Sequence, residues 1–200
     1  MKFILLLSLS ATLAHADWQQ EIITNNAGKM TAFTPEKLEY DMSWQGALKS
    51  GTLTIEFGKK DKRYPKSFIT HTYGRSTGAA YALFPYDFTF TSFASLKTHR
   101  PIIFVATEKD AKETVKTKNS YKTPGIRHHS VATKKRSGKV QTKDHTFAAK
   151  AVHDPMTAML AIRKQPLKNG DIVKLCGHPF ASPYLLTVTV LGREKHQSYD

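Results

Sequence analysis

The sequence predicts a mainly β, β-rich α+β fold in which a sheet folds over one helix. Three observations carry this. Apolar and polar residues alternate with period two along much of the chain, the pattern of half-buried strands. Glycine-bearing breaks such as Gly46, Gly51, the stretch Gly74 to Gly78 and Ser137-Gly138 punctuate those runs. One stretch alone, Asp154 to Asp171, combines helical spacing with a start and a stop signal.

In that stretch Asp154 is a natural N-cap, because its carboxylate can accept from the free amides of the first turn. Pro155 takes the first helical position, where a missing N–H costs nothing. Met156, Met159 and Leu160 form an apolar stripe with Arg163 at the same spacing. Pro166 stops the helix and Asn169-Gly170 turns the chain into the next strand.

The first sixteen residues read as a secretory signal peptide. Lys2 is a short positive end, Phe3 to Leu9 is apolar, and Ala14-His15-Ala16 is a small-x-small cleavage site. An N-terminal anchor is the competing reading, but the apolar run is far short of the roughly 20 residues a bilayer span needs. An exported protein, periplasmic or extracellular, is therefore expected, with no transmembrane segment in the mature chain. Residues 17–35 are expected to be a loose lead-in with a short strand at Glu21 to Thr24, 36–194 a single domain, and 195–200 a polar tail.

The domain begins with Leu38, Tyr40, Met42 and Trp44 alternating with polar residues. Leu53, Ile55 and Phe57 alternate next, so the two runs make an antiparallel hairpin. A third strand is expected from Lys66 to Tyr73, and a helical turn at Ala79 to Leu83 ended by Pro85. Phe84, Tyr86, Phe88 and Phe90 share one face of an extended chain. They are either core or the lining of a cavity for an apolar ligand, which Met156, Met159 and Leu160 would close from the helix side. Arg100 to Thr107 is apolar on both faces, as central strands are. Val131 to Arg136 and Lys139 to Asp144 pair about Ser137-Gly138. Phe147 to Val152 leads into the helix, and strands at Ile172 to Cys176 and Tyr184 to Leu191 follow it.

The charge is lopsided. The chain is +14 overall, and Lys109 to Lys143 holds eleven Lys or Arg against two acids, +9 of that total. Lys134, Lys135, Arg136, Lys139 and Lys143 make its densest part. Such a run is either a solvated face or a surface for anionic lipid headgroups or acidic polysaccharide. Nucleic acid would suit the charge, but export and the lack of a recognition motif argue against it.

Other chemistry is thin. Cys176 is the single cysteine, so no intramolecular disulfide is possible. His128, His129, His145, His153 and the Cys176/His178 pair are the candidate metal ligands, but no HExxH or CxxC spacing supports them. There is no GxSxG elbow and no phosphate-binding glycine loop. The expectation is a non-enzymatic protein with no cofactor.

Two segments carry a family resemblance. Tyr40 to Gly46 reads YDMSWQG and is followed by SGTLT from Ser50. The helix motif DPMTA from Asp154, the PLKNGD turn from Pro166, and VLGRE from Val190 make the second. Their order and spacing resemble domain-of-unknown-function family 3108, a group of exported proteins, over most of Glu36 to Glu194. The resemblance implies a curved antiparallel sheet, an open half-barrel, with the helix packed on its concave face. It implies no activity and no site residues. The functional expectation is an envelope protein that binds a lipid-like ligand. The alternative is an assembly factor docking its basic face on an envelope protein or anionic polysaccharide.

Overall fold

Alternating residues build eight successive strands: β1 (Glu36–Trp44), β2 (Leu48–Lys59), β3 (Ser67–Ser76), β4 (Asp87–Ser95), β5 (Pro101–Lys109), β6 (Glu113–Lys122), β7 (Gly125–Lys134) and β8 (Val140–Ala148). The computed structural model describes residues 18–22, 35–44, 48–122, 125–149, 151–163, 165–178 and 181–192. The expected leader, most of the lead-in and the tail over 195–200 lie outside these residues. Each strand pairs antiparallel with the next, giving a curved sheet that does not close. A short helix, α1 (Gly78–Leu83), joins β3 to β4.

Register explains which face is inside. One row across the sheet runs Leu38, Ile55, Thr72, Phe90, Ala106, Thr117, Ser130 and Lys143. It is buried from Ile55 through Thr117 and reaches water at Lys143. The next row on that face holds Phe57, Thr70, Ser92, Phe104, Asn119, His128 and His145. The helix α2 (Pro155–Arg163) lies against these rows. Leu160, 1% exposed, packs with Ile55, Phe57, Phe68 and Ala94. Met159 joins that cluster from its edge, and the Met156 sulfur accepts from the Thr72 hydroxyl at 3.0 Å.

The expected N-cap forms. Asp154 Oδ1 accepts from the N–H of Met156 (2.9 Å) and of Thr157 (2.8 Å). Gly170 takes φ +86° in the turn after the helix, a conformation glycine adopts without a Cβ penalty.

Two features differ from the sequence expectation. The strands around the helix do not extend the large sheet. β9 (Val152–His153), β10 (Ile172–Gly177) and β11 (Tyr184–Thr189) form a separate sheet in the order β11-β10-β9. There β9 and β10 are parallel, and α2 is the crossover that a parallel pair requires. β6 is a strand that its alternation barely announces, since Thr117 and Asn119 fill its inward positions. The lead-in holds a 3-10 turn at Trp18–Glu21, and the short strand expected at Glu21 to Thr24 falls largely outside the described residues. Trp18 and Ile22 pack there against Ile126, Ala149, Val152 and Cys176, and Lys174 pairs with Glu21 at 2.6 Å.

Candidate functional site

α2 serves two layers. Its Leu160 side faces the large sheet, while Ala158, Ala161 and Ile162 pack with Val173, Leu175 and Val188 of the small one. Where helix and small sheet diverge, a groove of about 550 Å³ opens. Ala158, Met159 and Ile162 line it from the helix, and Tyr184, Leu185 and Leu186 from β11. Its polar lining residues are few: Asp154, His178 and Arg163. This volume falls in the range of small-molecule sites, and an apolar lining with a few polar groups is their usual composition.

Asp154 is fully buried. Beyond its cap bonds, Oδ2 accepts from Ser92 Oγ at 2.6 Å, which ties the start of α2 to β4. Burial raises its carboxyl to about 6 despite those hydrogen bonds. His178 is also fully buried. Its ring belongs to a polar chain that runs into the large sheet. Asn119 Nδ2 donates to His178 Nδ1 at 3.1 Å, and His128 Nδ1 donates to Asn119 Oδ1 at 2.8 Å. Ser130 Oγ meets His128 Nε2 at 3.2 Å. With Asn119 so oriented, neutral His178 carries its proton on Nε2, which has no hydrogen-bond partner among the described residues. Burial, reinforced by nearby His128, lowers the imidazole to about 4, so the ring is neutral at pH 7.

Behind β9, Arg100 Nη1 donates to Ala151 O and to His153 Nε2, both at 2.7 Å. These bonds hold Ala151 at φ +54°, the strained residue that swings the chain out of the large sheet. Cys176 is buried, its thiol pushed up to about 11 by desolvation. Among the described residues no three His, Cys, Asp or Glu side chains converge as a metal site would need.

The residues singled out from sequence do not gather at one cavity. Phe88 and Phe90 stack at 4.5 Å, with Phe90 buried against Phe104 and Ala106. Phe84 closes α1 and is 76% exposed, and Tyr86 precedes β4, with its hydroxyl donating to Glu108. Met159 lines the groove, whereas Met156 and Leu160 face the large sheet. Lys134, Lys135, Arg136 and Lys139 sit at the β7–β8 turn, and Lys143 lies along the exposed edge strand β8. Sequence reasoning missed Ile162, Tyr184, Leu185 and Leu186 as groove lining and Asn119 as the link between His128 and His178. The first four had a signal in the apolar text around the PLKNGD turn; Asn119 had none, because its partners are remote in sequence.

Tyr40 to Trp44 and Asp154 to Arg163 thus contribute to the first hairpin of the large sheet and to the helix at the groove. No curated protein and no solved structure matches the chain. A family model described as "Protein of unknown function (DUF3108)" matches residues 39–200, and the chain belongs to that family.

Proposed function

We propose that this is an exported cell-envelope protein that binds an apolar or amphipathic, lipid-like ligand without chemical turnover, in the groove between α2 and β10–β11. The observation that carries the reading is the groove itself: about 550 Å³, walled by Ala158, Met159, Ile162, Leu185 and Leu186. Water gains little from such walls, while an alkyl or aromatic body releases that water on entry. Arg163, which pairs with Glu36 at 3.6 Å, is a cation on the lining of an otherwise greasy groove, which fits a ligand with one anionic or acceptor-bearing head.

The test is native mass spectrometry with solvent extraction of the purified protein, followed by titration with a fluorescent fatty-acid probe. The reading expects bound lipid or saturable probe uptake. Ile162→Glu should cut uptake at least about tenfold, since a carboxylate would then line an apolar site. No bound lipid together with no probe uptake would overturn the proposal. Export is tested separately, by whether the chain appears in the periplasm or medium with residues 1–16 removed.

A further inference from the structure

By register, four connections lie on one rim of the large sheet. They are the β1–β2 turn between Trp44 and Leu48, the α1 connection, the β5–β6 turn after Lys109, and the β7–β8 turn after Lys134. The groove lies away from this rim, where α2 crosses the rows through Phe57 and Ser92.

The α1 connection is anomalous. Gly78 to Tyr86 reads GAAYALFPY, with no charge, yet α1 buries none of its residues. Leu83 is 71% exposed and Phe84 76%. The segment is held out rather than frayed. Ser76 N–H donates to Tyr86 O (2.9 Å), Ser76 Oγ to Phe84 O (2.9 Å), and Thr77 N–H to Ser50 O (3.0 Å). Trp44, 71% exposed, and Leu48 add apolar tips on the adjoining turn.

Cations continue the same rim. The β5–β6 and β7–β8 turns are joined by Lys135 N–H donating to Lys112 O, and Lys112, Lys134, Lys135 and Arg136 line the concavity between them. The acids nearby are already engaged. Glu113 pairs with Lys134, Asp87 with Arg75, and Asp110 accepts from the N–H of Lys112 and of Glu113. Lys112 and Lys135 lie within the field of the Asp110 carboxylate without forming a close ion pair, and Arg136 enters none among the described residues.

We propose that this rim docks on an anionic phospholipid bilayer, with Leu83 and Phe84 entering the headgroup–acyl boundary and Lys112, Lys135 and Arg136 meeting the phosphates. Separate apolar tips on the β1–β2 turn and the α1 connection make a poor flat protein interface, but a fluid bilayer closes around each. The flanking positive charge matches the sign of the headgroups. The inference stands apart from the groove reading, because it uses a different part of the molecule.

Vesicle flotation tests it, with equal parts phosphatidylglycerol and phosphatidylcholine against phosphatidylcholine alone. The protein should float with the anionic vesicles and release as salt rises. Lys112→Glu/Lys135→Glu/Arg136→Glu should weaken binding at least about a hundredfold, and Leu83→Ser/Phe84→Ser about tenfold or more. Both should leave fatty-acid probe uptake unchanged. In a Trp18→Phe chain, Trp44 emission should be quenched by brominated anionic lipid. Absence of flotation, equal binding to both vesicles, or variants that bind like the wild type would overturn the proposal. So would unquenched Trp44, or a rim that captures a polysaccharide or protein while ignoring vesicles.

Discussion

Asp154 sets two forces against each other, and Asp154→Asn measures which wins. Its carboxylate accepts two backbone N–H groups at a helix N-terminus and the Ser92 hydroxyl, all of which favour the charged form. Complete burial favours the neutral form, and the carboxyl is raised from 3.8 to about 6. The folded state therefore holds this proton more tightly than the unfolded chain. The resulting stability is fully present below pH 3.8 and is lost as pH rises through about 6. A shift of that size corresponds to about 3 kcal/mol, of which about 2 kcal/mol falls between pH 4 and pH 6.5. His178 acts in the opposite sense. Its imidazole is lowered from 6.5 to about 4, so its contribution is present above pH 6.5 and is lost as pH falls through about 4. In the wild type the two slopes oppose each other over the same window. Asparagine remains a good N-cap and keeps the oxygen that Met156 and Thr157 use, but it cannot titrate. Urea unfolding of both proteins at pH 4 and pH 6.5 isolates the effect. The stability gained on going from the lower to the higher pH should be about 2 kcal/mol larger in Asp154→Asn than in the wild type. An equal gain, or a smaller one, would show that the cap hydrogen bonds outweigh burial and would refute the reasoning.

Leu160→Ala should cost about 2–5 kcal/mol in chemical denaturation, because Leu160 is 1% exposed among Ile55, Phe57 and Phe68; Leu160→Asp should not fold, and a wild-type melting curve for it would refute the buried stripe. Asn119→Ala strips His128 and His178 of a shared partner and should cost about 2–4 kcal/mol, with the loss read by thermal melting. Gly74→Ala should destabilise by about 1–3 kcal/mol, since a Cβ there would sit 2.7 Å from the Phe88 ring and 3.0 Å from Thr52 O. A neutral result would mean that the Phe88 ring turns aside without strain.

The helix and its hairpin neighbours were legible because their signals are local. Asp154, Pro155 and the spacing of Met159 and Leu160 specify α2 within ten residues, and Leu53, Ile55 and Phe57 specify β2 by alternation alone. The division into two sheets was not legible. β10 and β11 alternate as any strand does, and only the parallel pairing of Cys176 with Val152 across the helix separates them from the large sheet. β6 hid because its inward positions are Thr117 and Asn119, polar residues whose burial becomes apparent once His128 and Phe104 are their neighbours. The aromatic stripe runs through Tyr86, Phe88 and Phe90 and breaks only at Phe84, for a similar reason. Period two holds for Phe88 and Phe90 inside β4, but Pro85 and α1 take Phe84 out of the strand, so alternation stops meaning a shared face.

The groove persists because nothing can move to fill it cheaply. Shifting α2 toward β11 would pull Leu160 out of its cluster with Phe57 and Phe68, a loss comparable to the Leu160→Ala cost of roughly 2–5 kcal/mol. It would also break the Ser92–Asp154 bond inside the protein, where an orphaned partner costs about 1–3 kcal/mol more. Moving β11 inward meets a different constraint. Its Val188 is already packed with Val173 and Leu175 beside Ala158, so the hairpin touches the helix at one end while Leu185 and Leu186 stand off at the other. The two contacts act as spacers of fixed length, and the apolar gap between them is a consequence of helix and small sheet being anchored at different points. A groove preformed in this way would lose little to reorganisation if it takes the proposed ligand, so even a modest apolar contact area would suffice for measurable affinity.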